Sequence, residues 1–121
     1  MKTSVLFLAT IFFGVACTGC GGSSTNNCVI TANVLPASAS ADHNLASPGN
    51  QVQFSASSTV SGNCPLIADT LGTWSTSDPG NTSIDSTGLA KCLGATTTPA
   101  TISNSGTVRG RTFTSATLTC R

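Results

Sequence analysis

Hydrophobic positions follow two patterns along this chain. Over residues 5–16 (VLFLATIFFGVA) they are almost continuous, and beyond Cys28 they alternate with Ser, Thr, Gln and Asn. Alternation with period two marks a strand with one buried face, because successive side chains point to opposite sides. Residues 51–57 (QVQFSAS) put Val52, Phe54 and Ala56 on one face, and residues 115–120 (SATLTC) do the same with Ala116, Leu118 and Cys120. Further strands are expected within residues 28–35, 71–76, 82–84, 89–93 and 100–108. Breakers stand between them: Pro36, Ser47-Pro48-Gly49, Asn63-Cys64-Pro65, Asp78-Pro79-Gly80, Thr87-Gly88, Pro99 and Gly110. No segment sustains a helical period with helix-forming residues. Seven short strands in about 95 residues predict an all-β sandwich.

The continuous run means something else. Met1-Lys2 precedes it and small residues with Cys follow, which is the layout of an export signal. Its twelve residues fall short of the roughly 20 needed to span a bilayer as a helix. The following Cys17-Thr18-Gly19-Cys20 resembles the lipobox of bacterial lipoproteins at the two positions before Cys20, with Cys17 where Leu is usual. Two rivals remain, a lipobox ending at Cys17 and plain secretion after Ala16. Acylation of Cys20 leaves four thiols and acylation of Cys17 leaves five, an odd number in an oxidising compartment. The expected division is therefore a removed signal at 1–19, a lipidated Cys20 with a Gly/Ser tether at 20–27, and a domain at 28–121. Two or more acyl chains anchor stably. The absence of Asp after Cys20 leans toward the outer membrane.

Composition narrows the function classes. After residue 19 there is no Glu or Tyr, and four Asp (42, 69, 78, 85) balance Lys91, Arg109, Arg111 and Arg121. Such a chain has no field to gather nucleic acid. Its hydration rests on Ser, Thr and Asn.

Residues 72–92 (GTWSTSDPGNTSIDSTGLAKC) hold the single Trp and two of the carboxylates. Asp78 before Pro79 suits a turn, and Gly88 can take positive φ. This stretch, with SPGNQVQFSAS before it and PATIS and ATLTC after it, resembles the bacterial Ig-like domain, group 2. The matching pieces are Pro48-Gly49, Trp74-Ser75-Thr76-Ser77, Asp78-Pro79, residues 84–88 (IDSTG) and residues 99–102 (PATI), within a span of about 29–119. Pro99 stands where that family has Gly, and the cysteines are additions.

The resemblance implies an Ig-like sandwich in which Trp74 is the largest core residue, beside Val52, Phe54, Ile84, Leu89, Ile102 and Leu118. Four Cys allow three connectivities. The implied topology favours Cys28 with Cys64 at one pole and Cys92 with Cys120 at the other. A tetrathiolate zinc site is the alternative, although the mature chain has no CxxC pair. The resemblance also implies adhesion or another cell-surface role.

Other chemistry finds little support. His43 beside Asp42 has no nucleophile motif to serve, and its expected state is a solvated loop residue. Asp78, Asn81 and Asp85 lack EF-hand spacing for Ca²⁺, and the scarcity of carboxylates argues against a glycosidase pair. No cofactor is expected. Arg109-Gly110-Arg111 should cap a hairpin at the pole where the first strand begins, with the two arginines poised for anionic headgroups or a partner. The expected function is a non-enzymatic, lipid-anchored module of the cell envelope for adhesion, protein interaction or spacing. A carbohydrate-binding module is the alternative, and with Trp74 inside only Phe54 and Phe113 would remain as platforms.

Overall fold

A computed structural model describes residues 27–121. The apolar run at 5–16, Cys17, Cys20 and most of the tether lie outside the described residues. The described chain is all β, in eleven strands: β1 (Val29–Leu35), β2 (Ser38–Ala41), β3 (Gln51–Gln53), β4 (Ser55–Ser61), β5 (Trp74–Thr76), β6 (Thr82–Ile84), β7 (Leu89–Cys92), β8 (Ala100–Asn104), β9 (Thr107–Val108), β10 (Arg111–Thr112) and β11 (Ala116–Cys120).

Eleven exceeds the seven expected because several strands change partner partway. At Phe54 the chain stops pairing with β7 through β3 and begins pairing with β1 through β4; the Phe54 N–H still donates to the Gly88 carbonyl at 2.8 Å. At Pro36-Ala37 it leaves β4 and crosses to lie parallel with β11 as β2. Pro suits such a crossing because it has no N–H to leave unpaired. Ser105-Gly106 divides β8 from β9, and Phe113 to Ser115 divides β10 from β11. The eleven strands thus trace seven paths.

Those paths form two layers. One carries β1, β4 with β3, β7 and β6, and the other is ordered β2-β11-β8-β5. This is the four-plus-three arrangement of an Ig-like sandwich with an extra edge from β2. Phe54, Ile102, Leu118 and Val34 are its largest fully buried apolar side chains, packed with Ala41, Ala90 and Ala116. Small Ala residues let the layers approach closely, so few aromatic rings suffice to fill the space.

Four core assignments need correction. Trp74, Val52 and Ile84 are half-buried and pack on the flank of the core, leaving Phe54 as its largest member. Leu89 is also half-buried, because β7 turns Ala90 and Cys92 inward and Leu89 and Lys91 away. The alternation there was legible, but its phase runs against the bulkier side chain.

Candidate functional site

Both disulfides are formed, Cys28–Cys64 and Cys92–Cys120, with Cα–Cα distances of 4.6 and 5.6 Å. The first joins the start of β1 to the loop after β4, where Val29 already faces Ser61. The second joins the ends of β7 and β11, which belong to different layers. Cys92 and Cys120 are buried, whereas Cys28 and Cys64 are partly exposed.

Arg109 and Arg111 sit on the β9–β10 turn. Arg109 and Gly110 both have positive φ, 49° and 79°. A two-residue hairpin loop with that pair of angles is a type I′ turn, whose twist matches its strands. Arg109 is an unusual residue for the position, and its N–H is held by Asp69 Oδ1 at 2.9 Å. Arg111 Nη1 donates to the Ile30 carbonyl at 3.1 Å, which places this turn at the pole where β1 begins. Both expected arginines therefore share a pole with the Cys28–Cys64 bridge.

The Asp-rich stretch forms turns. Asp78 Oδ2 accepts from the Asn81 amide at 3.0 Å, and the Asp78 carbonyl accepts from the Thr82 N–H and hydroxyl at 2.9 and 2.7 Å. Asp85 Oδ1 accepts from the Thr87 N–H (2.8 Å), the Thr87 hydroxyl (2.6 Å) and the Leu89 N–H (3.1 Å). Gly88 closes this turn at φ 85°. Among the described residues no three His, Cys, Asp or Glu side chains gather as a metal site would require. His43 is not a free loop residue: its N–H donates to the Arg121 carbonyl at 3.0 Å, and Nδ1 meets the same oxygen.

The Asp85 bonds have a pH signature. The Thr87 hydroxyl, followed by the Leu89 N–H, holds the Asp85 carboxyl below its ordinary value of 3.8. A depressed folded-state pKa means the stabilisation is complete above the unfolded value and is lost as pH falls through the folded one. Asp42 is lowered in the same direction, chiefly by the Asn44 N–H. Asp85→Asn should therefore lower the melting temperature at neutral pH and flatten its decline below about pH 4. Melts from pH 2 to 7 test this, and a parallel downward displacement at every pH would contradict it.

Three concavities stand out among the described residues. One of about 410 Å³ lies between β1 and the β9–β10 hairpin, against Arg111, Thr112 and Thr114. A second, about 260 Å³, has Trp74, Ile84, Asp85 and Ser86 in its walls. The third, about 310 Å³, runs beneath β4 and is lined by Ala56, Leu71, Val108 and Phe113 among others.

This third groove adjoins a surface that strand patterning did not single out. All seven residues of β4 are exposed, although Ala56, Ser58 and Val60 share a face with Val34, Ala32 and Ile30 of β1. Beyond Phe54, β7 no longer accompanies the chain, so β4 pairs on one side only. Leu66, Ile67 and Leu71, in the following loop, are exposed at 91, 49 and 104%. Composition held a signal: from Asn44 to Ala68 there is no charged residue.

The fold and surface define a small disulfide-stapled β-sandwich in which β4 is an open-edged strand exposed along its whole length. The chain matches no protein-family model and no curated protein.

Proposed function

We propose that this protein is a non-enzymatic Ig-like domain, lipid-anchored through Cys20 at the cell envelope, where it acts as an interaction or spacer module. The observation that carries this reading is the combination of an export signal ending in Cys20 with a domain whose first strand starts only nine residues later. The tether of seven residues, 21–27, has an r.m.s. span of about 15 Å. That length keeps the Cys28 pole close to the membrane. Arg109 and Arg111 share that pole, and each basic residue near an anionic leaflet contributes about 1 kcal/mol of attraction. The arginines then seat the domain and leave the opposite pole and the strand edges facing outward.

The experiment is fractionation of cells expressing the full chain, with intact mass of the mature protein. Cys20→Ala should move the protein from the membrane pellet to the soluble fraction, and the acyl mass should disappear. Retention of Cys20→Ala in the pellet would refute the anchor. Changing Arg109 and Arg111 to Ser should leave the anchored protein in the pellet but weaken the binding of lipid-free protein to anionic vesicles. Unchanged vesicle binding would remove the seating role.

A second reading is favoured by one feature. Trp74 is half-buried rather than enclosed, and it lines a pocket with Asp85 and Ser86. An aromatic face beside a carboxylate is a combination suited to a sugar ring. Phe54, by contrast, is fully buried and offers no platform. Glycan-array binding that Trp74→Leu abolishes would support this alternative over the interaction module.

A further inference from the structure

An exposed, uncharged strand with one unpaired edge is a template for another strand, and proteins that do not use such an edge usually blunt it with Lys, Pro or a bulge. β4 has none of these: its sequence is SASSTVS. Its chemistry also reads alike in both directions about Ser58. Ser55 and Ser61 are the ends, Ala56 and Val60 the apolar positions, and Ser57 and Thr59 the hydroxyl neighbours. A twofold antiparallel pairing sets each residue against its counterpart across the axis, so like chemistry at counterpart positions makes this strand complementary to itself.

We propose that β4 is a self-association edge, along which a second copy of this chain pairs Ser55–Ser61 antiparallel about Ser58. The proposal rests on the reading of the domain as an interaction module and names its partner. In this register Ala56 lies opposite Val60 of the second copy, and Ser57 lies opposite its Thr59. The first pairing is apolar and faces the groove, since Ala56 and Val60 lie on the face that β1 buries with Ala32 and Val34. The second places hydroxyls opposite one another, as Thr31 and Thr59 already are between β1 and β4, where their oxygens are 2.5 Å apart. The incoming strand takes the position that β7 vacates above Gly88, covering the groove over Leu71, Val108 and Phe113. β4 carries no charge, so two copies meet along it without like-charge repulsion, and the one carboxylate in the groove, Asp69, already accepts the Arg109 N–H.

The test is photo-crosslinking of the full-length chain in cells that export it, with a photoreactive amino acid at Ser58 and, as a control, at exposed Ser83 on β6. The expected result is a species of twice the mass from Ser58 alone, whose linked peptides both come from β4. Ser55→Lys with Ser61→Lys sets lysines against each other in that register without touching the Thr31–Thr59 bond, and should cut the yield roughly tenfold or more while leaving the melting temperature unchanged. An equal homodimer yield from Ser83, or indifference to the two lysines, would overturn the proposal. So would a Ser58 adduct to a different protein, which would leave the interaction reading standing. Silence from Ser58, Ser83 and the other exposed positions would defeat both.

Discussion

Changing Cys92 and Cys120 together to Ala will destabilise this domain more than removing Cys28 and Cys64, although the loop it opens is shorter. Sequence separations of 28 and 36 residues give about 3.6 and 3.8 kcal/mol in the chain-entropy description, a difference of only ~0.2. Burial decides the order. Cys92 and Cys120 are 1 and 2% exposed and belong to the same core cluster as Phe54 and Leu118, so their sulfurs are packing atoms as well as a cross-link. Truncation leaves space that neighbouring Ala residues cannot fill, which adds about 1–2 kcal/mol. The total approaches 5 kcal/mol, comparable to the whole stability of a weakly stable domain of this size. Urea unfolding of the two double variants checks it. Equal midpoints would mean that the bridges act through chain entropy alone.

Gly88→Ala is expected to be nearly as damaging. With φ at 85°, a Cβ would lie 2.4 Å from the Phe54 carbonyl oxygen and 3.0 Å from Trp74 Cε2 and Cζ2. The oxygen is backbone, held where β3 gives way to β4, so relief requires moving the point at which the strand changes partner. Left-handed backbone at a residue with a Cβ and overpacking together cost about 2–5 kcal/mol. For a domain of this length that lowers the melting temperature by at least about 10 °C. Gly80→Ala is the control, because a Cβ there would meet only Asp78 Oδ1 at 3.7 Å. If the two variants melt together, crowding at Gly88 is not the constraint.

Much of this fold was written locally. The alternation through β11 placed Ala116, Leu118 and Cys120 inward, and all three are buried. Pro and Gly punctuation fell between strands, and the Asp78 and Asp85 turns follow from side chains that reach backbone two to four residues on. What resisted reading was set by long-range pairing. SASA at 38–41 looks like a loop, and becomes β2 because β11 offers it a parallel edge. Trp74 has the bulk of a core residue, yet lies on β5 at the border of its sheet, where only part of the ring can be covered. The open side of β4 is invisible in its own residues, since it depends on where β7 begins.

The hydroxyl-rich composition has a further consequence. Cross-strand contacts that charged side chains often make are made here by Thr31 with Thr59, Thr70 with Thr107, Thr73 with Ser105 and Ser103 with Ser115. Basic side chains are correspondingly rare, and a protease that cuts after Lys or Arg finds few addresses. Lys91 lies mid-strand with Gln51 on one side and Ser83 on the other. Arg109 and Arg111 flank Gly110 in a turn of two residues. None presents the long extended segment such an enzyme must draw into its cleft. A sheet knitted by hydroxyls thus also offers such an enzyme few places to start.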